Sequence, residues 1–294
     1  MEVASSLVSA YLGRLGLEAE PPSVDALFRI HRAQVDKVAY ESLWIQMGER
    51  WPIDAGSSLA RIATQRRGGY CFHLNGALGR LLVELGYSVR RHVGGVHGPN
   101  GPSEAEMTNH LVLTVAGLPT DANPGGTWYV DAGLGYLLYE PLPLVSGSYR
   151  QGPFRLALEQ TPGDVGDWHL VNIGGDAFGG MAWRSADAAP GAFDARHRLL
   201  STSPDSPFVK LLTVQRRDEA GADVLRGLVL LRLGEGAGER VITLPSELFD
   251  ALADLFGVGP IAAPARSRLW GRVSAAHEAW EAAGRPNPST GYGS

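Results

Sequence analysis

Apolar positions along the first ninety residues recur with helical spacing. Over residues 5–16, Leu7, Tyr11, Leu12 and Leu15 fall on one face. Pro21-Pro22-Ser23 reads as a start signal, after which Val24, Leu27, Phe28, His31 and Val35 form one stripe. Ser23 is placed to cap that helix, and Asp25 lies in its first turn, where the helix dipole favours an anion. A third helix is predicted from at or near Cys71, with Leu74, Leu78, Leu81 and Leu85 inward and Gly86 as its stop.

From about Val89 the pattern changes to short apolar strands separated by turn chemistry. Val89–Val96, His110–Val115 and Trp128–Val130 are the clearest, with further strands near Phe154–Leu158, Trp168–Ile173 and Met181–Arg184. Gly98-Pro99-Asn100-Gly101-Pro102 and Asn123-Pro124-Gly125-Gly126 have loop composition. This middle third predicts a small antiparallel barrel or sandwich. The last third mixes both periods. Strands are predicted at Val209–Gln215, Arg226–Leu233 and Arg240–Leu244, with a hairpin turn at Gly234–Gly238. A helix is predicted over Ser246–Phe256 and another over Ala265–Ala282, its stripe Leu269, Val273, Ala276 and Trp280. Residues 285–294 are rich in Pro, Gly and Ser and read as a fraying tail.

Composition narrows the classes. The chain has 294 residues, 44% apolar and 19% charged, with a net charge of −5, which gives no basic footprint for nucleic acid and no polybasic membrane anchor. No apolar run is long enough to span a bilayer, and the first residues lack the pattern of a secretion signal. A single cysteine cannot form an internal disulfide, so the expected setting is a reducing cytoplasm. That thiol is either a buried space-filler or a nucleophile.

The stretch Arg67-Gly-Gly-Tyr-Cys71-Phe-His-Leu-Asn75 favours the nucleophile. Two glycines permit a sharp turn and close approach, and a thiol at a helix start faces the positive end of the dipole, which favours the thiolate. Unpaired N–H groups at the same turn suit an oxyanion. A cysteine nucleophile needs a base, and the base an orienting group. His110 opens an apolar strand and Asp131 ends the next one, so an antiparallel pairing could bring them together. An aspartate after an apolar strand is more often a turn residue, and spacing alone leaves that alternative open.

These segments together resemble the arylamine N-acetyltransferase family. Residues 67–72 match its Arg-Gly-Gly-aromatic-Cys-Phe motif, His110 its histidine before an aliphatic strand, and Asp131-Ala-Gly-Leu-Gly135 its aspartate turn. Val38-Ala-Tyr-Glu-Ser42 is similar to its Val-Pro-Phe-Glu-Asn segment, and Ser201–Phe208 to a lid motif with Ser, Pro and Phe.

The resemblance implies an α+β fold in three parts: a helical bundle over 1–90 with the cysteine, a β-barrel over 91–195 with His and Asp, and an α/β lid over 196–284. The core would be a cysteine-protease-like Cys-His-Asp triad of Cys71, His110 and Asp131. It implies ping-pong acyl transfer from acetyl-CoA or another acyl thioester, as co-substrate with no bound cofactor or metal, to a small-molecule amine. Tyr40, Leu134 and Phe208 would line the acceptor pocket, Gly133 and Gly135 would meet CoA, and Arg67 and Glu41 would form a structural ion pair. Departures from the family pattern are His73, where Glu or Gln is usual, Leu134 in place of an aromatic, and the hydroxyl of Tyr40. They motivate an alternative, an amide synthase releasing a polyketide from an acyl carrier protein; a thiol hydrolase would use the same triad.

The remaining histidines read as structural. His73 is expected to pack, because side chains at i and i+2 on a helix diverge. His31 lies on an apolar stripe, His92 and His97 lack metal-ligand spacing, and His169, His197 and His277 carry no motif.

Overall fold

The computed structural model describes residues 6–175 and 178–284; the predicted tail 285–294 lies outside them. Five helices and one short strand come first: α1 (Ser6–Leu15), α2 (Val24–Lys37), β1 (Tyr40–Glu41), α3 (Leu43–Gln46), α4 (Ala55–Gln65) and α5 (Cys71–Glu84). Ser23 Oγ accepts the Ala26 N–H and caps α2, so one of the first-turn donors is satisfied locally. Leu74, Leu78 and Leu81 of α5 are wholly buried, each contributing about 1.5–3 kcal/mol through removal from water. Gly86, at φ 91°, ends that helix in the left-handed region.

Eight antiparallel strands follow in the spatial order β5-β4-β3-β2-β9-β8-β7-β6 and curl into a nearly closed barrel. They are β2 (Ser88–His97), β3 (His110–Ala116), β4 (Trp128–Val130), β5 (Leu142–Pro143), β6 (Gly147–Gln151), β7 (Phe154–Asp164), β8 (Gly166–Asn172) and β9 (Gly180–Asp187). All seven residues from His110 to Ala116 are buried or nearly so, so β3 packs on both faces, with α5 on one side. Just before it, Thr108 takes φ 78°. That region is hostile to a β-branched side chain and costs about 1–3 kcal/mol, which surrounding bonds must hold in place.

Two short helices, α6 (Asp194–Thr202) and α7 (Pro207–Lys210), lead into β10 (Thr213–Arg217), β11 (Gly221–Arg226), β12 (Val229–Gly234) and β13 (Gly238–Val241). After these come α8 (Pro245–Asp250), a π-helical turn (Ala251–Leu255) and α9 (Ala263–Ala282). The second sheet has the order β1-β10-β11-β12-β13, so a strand from the helical region forms its edge. Leu212, Val214, Leu225, Leu248, Leu252, Leu269 and Val273 share its core.

Some predicted elements divide differently. Val209 and Lys210 are helical, not strand, because Ser206 caps a turn that Pro207 opens. The run Arg226–Leu233 is broken by Gly227, whose φ of 58° turns β11 back into β12. On α9 only Leu269 and Val273 are buried, whereas Ala276 is exposed. No helix among the described residues is long and apolar enough to cross a membrane.

Candidate active site

Cys71 is the first residue of α5 and is 4% exposed. The two preceding glycines are both sterically required. A Cβ at Gly68 would lie 2.0 Å from the Ala39 carbonyl oxygen; one at Gly69, φ 93°, would lie 2.6 Å from His73 Nδ1. The loop therefore threads between β1 and the helix start, and the Glu41 N–H donates to the Gly69 carbonyl at 2.9 Å. Beneath it Arg67 and Glu41 are joined, Nε to Oε1 at 3.0 Å, and Glu41 Oε2 also accepts the Leu43 N–H.

The neighbouring strand ends supply the rest. β3 pairs with β4 through Leu113–Val130, so His110 and Asp131, at adjacent strand ends, meet. His110 Nε2 donates to Asp131 Oδ2 at 2.7 Å, with both side chains almost wholly buried. Asp131 receives three further donors: Tyr129 OH on Oδ2 at 2.8 Å, and on Oδ1 Asn75 Nδ2 at 2.6 Å and the Gly133 N–H at 2.8 Å. Burial alone would favour the neutral acid, but His110 and these hydrogen bonds outweigh it and hold the carboxyl below its ordinary range. Burial likewise opposes a charged His110; the Asp131 carboxylate and Cys71 override it and raise the imidazole to about 10. The ring is thus an imidazolium at neutral pH, between a carboxylate and the thiol. Tyr129, pushed far up by burial and by Asp131, stays a phenol and a donor.

Three supporting residues escape sequence reading to different degrees. Asn75 lies one helical turn beyond Cys71 and bridges to both Leu111 O and Asp131, so its i+4 spacing was a usable signal. Tyr129 precedes Asp131 by two, the strand period, which was also legible. His31 was not. Its Nε2 accepts the Asp131 N–H at 3.3 Å while Nδ1 donates to Tyr139 O at 2.9 Å, fixing a neutral tautomer across about a hundred residues of sequence.

A cavity of about 620 Å³ opens above the thiol. Cys71, His110 and Gly133 lie on it, and so do Tyr40, Leu134 and Phe208, with the Tyr40 and Phe208 rings 6.2 Å apart. Gly133 packs directly on Cys71: a Cβ there would lie 2.8 Å from Cys71 Cα. Gly135 is not on the cavity; it abuts the buried amide of Gln215. His73 is fully buried beside Trp44, Trp51, Tyr70 and His197, and its Nδ1 accepts the Tyr70 N–H at 3.4 Å, a weak cap for α5. His92 bonds Thr114 Oγ1, His97 faces His169 at 2.8 Å, and His277 lies near Glu281. Among the described residues no group of three or more His, Cys, Asp or Glu is placed to hold a metal.

A family model described as N-acetyltransferase matches residues 23–260. The chain belongs to the arylamine N-acetyltransferase family. It is accordingly an acyltransferase. The arylamine N-acetyltransferase of Mycolicibacterium smegmatis is 29% identical over 263 residues, covering 85% of this chain and 91% of that one. The arylamine N-acetyltransferase of Escherichia coli strain K12 is 30% identical over 169 residues, 56% of each. Among solved structures, the Mycobacterium marinum arylamine N-acetyltransferase in complex with CoA superposes with a TM-score of 0.79 at 28% identity, covering 92% of this chain and 99% of that one.

Proposed function

We propose that this arylamine N-acetyltransferase relative moves an acetyl group from acetyl-CoA to an arylamine-type acceptor in two half-reactions, with Cys71, His110 and Asp131 as the triad. The observation that carries the reading is that Cys71, His110 and a four-donor Asp131 carboxylate come together, with the first two on the wall of one cavity of mixed polar and apolar lining. In the first half-reaction the Cys71 thiolate attacks the thioester carbonyl. The new C–S bond forms as the bond to CoA sulfur breaks, and the His110 imidazolium protonates the departing thiolate. In the second, the amine attacks the acetyl-cysteine, His110 takes the amine proton, and Cys71 leaves as thiolate. Asp131 keeps the ring oriented and stabilises its charge throughout. The start of α5 at Cys71 puts the positive end of the helix dipole where it favours the developing oxyanion.

Tyr40, Leu134 and Phe208 form the acceptor wall, and Gly133 borders the thioester. Gly135 contributes through the shape of its turn, since it lies off the cavity. Arg67 and Glu41 hold the loop carrying the nucleophile. We divide the chain into units 1–90, 91–195 and 196–284, with their cores interleaved: the helical core takes in Leu111, Leu113 and Val115 of β3 and Phe208, and the second-sheet core takes in Ala39 and Leu43.

The test is intact-protein mass spectrometry after brief incubation with acetyl-CoA, with Cys71→Ala as control. The expected result is an added acetyl mass on the wild type only, discharged by an aromatic amine. Loading by a carrier-bound thioester but not by acetyl-CoA would overturn this reading in favour of an amide synthase. Discharge by water as fast as by amine would make the protein a hydrolase.

A further inference from the structure

The β2–β3 ladder runs in register as far as Gly94 opposite His110. Two residues further on, Val96 would pair with Thr108, but Thr108 leaves the strand at φ 78°. The side chain of Asn109 takes the place of the missing rung. Its Oδ1 accepts the Val96 N–H at 2.8 Å and its Nδ2 donates to the Val96 carbonyl at 2.9 Å, so one amide mimics a peptide on both sides. The main-chain carbonyl of the same residue is the acceptor that the Cys71 thiol faces at 3.6 Å. His110 is the next residue, and Asn109 itself lines the cavity.

We propose that Asn109 is a positioning residue for the acyl-transfer site. Its amide holds residues 108–110 in a turn that a threonine does not adopt unaided. That turn sets the direction in which His110 enters β3 and keeps a carbonyl against the thiol. The proposal rests on the roles given above to Cys71 and His110. An asparagine that merely finishes a strand would stabilise the fold without affecting the thiol–imidazole pair, and that difference is measurable.

The experiment is the pH profile of Cys71 alkylation by iodoacetamide in the full chain, for the wild type, Asn109→Ala, and Asn109→Ala with Thr108→Gly, alongside thermal melting of each. The charged and titratable groups against His110 are Asp131 and Cys71, with the Tyr129 phenol bonded to Asp131 and the Tyr70 phenol beside Cys71, and the variants keep all four. In Asn109→Ala, alkylation at neutral pH is expected to slow about tenfold, because losing two part-buried hydrogen bonds releases the turn that places His110. The slowing is expected across the profile, because a displaced imidazolium no longer lies against the thiol. Glycine at 108 adopts the positive φ without strain, so the double variant is expected to recover roughly threefold. A wild-type profile in Asn109→Ala, a loss confined to the melting temperature, or no recovery in the double variant would overturn the proposal. Alkylation needs no thioester, so failure of the wild type to load from acetyl-CoA would refute the proposed function and leave this test standing.

Discussion

Replacing Asp131 by asparagine changes one atom and reverses a hydrogen-bonding logic. All four contacts to the carboxylate are donors: Asn75 and the Gly133 N–H on Oδ1, His110 and Tyr129 on Oδ2. An amide must turn its NH₂ toward one pair. The Gly133 N–H is fixed main chain, so the carbonyl stays on that side and the NH₂ faces His110 and Tyr129. Tyr129 can rotate its hydroxyl to accept. His110 can accept only by giving up the proton on that nitrogen, which puts the remaining proton on the nitrogen that must serve Cys71. In the proposed mechanism the base is then blocked. The expected loss in acetyl loading is about 10³–10⁴-fold, a barrier increase of about 4–5.5 kcal/mol. Rapid-quench intact mass spectrometry with saturating acetyl-CoA measures it directly, and loading within tenfold of wild type would refute the argument.

The same variant has a signature in stability. His110 is raised to about 10, so its contribution is full below the ordinary histidine value of about 6.5 and is lost as pH climbs through 10. Asp131 is depressed, so its contribution is present above about 3.9 and is lost as pH falls through its lower folded value. Asp131→Asn removes both dependences. Its urea midpoint should vary less than the wild type's between about pH 6.5 and 10; parallel curves would contradict the coupling.

Two further predictions concern the loop and the turn that flank the thiol. Glu41→Ala strands the buried Arg67 guanidinium and frees the Leu43 N–H, so equilibrium urea unfolding should register a loss of about 3–5 kcal/mol; a change under about 1 kcal/mol would show the pair to be dispensable. Gly133→Ala places a methyl 2.8 Å from Cys71 Cα and 2.9 Å from Asn75 Nδ2, and should cost about 1–3 kcal/mol in stability together with most of the loading rate; wild-type values in a thermal melt and in loading would refute the close packing.

Short-range patterns carried a large part of this molecule. The Ser23 cap and the stripe of α2, the start of α5 at Cys71 and its stop at Gly86, and the strands opening at His110 and closing at Val130 all follow from spacing within one element. A helix or strand buries one face against whatever it meets, so its period is written locally whatever the partner is. The elements read wrongly are those where one residue overrides the period: Ser206 with Pro207 at α7, and Gly227 between β11 and β12. What only the tertiary structure decided are pairings between distant segments. His31 reaches the Asp131 backbone from α2, Asn109 completes a rung with Val96, and β1 leaves the helical region to edge the second sheet. Such contacts join groups whose own neighbours in the chain show no periodic sign of them. They exist because a buried donor or acceptor must find a partner somewhere, and which partner it finds depends on how the layers pack.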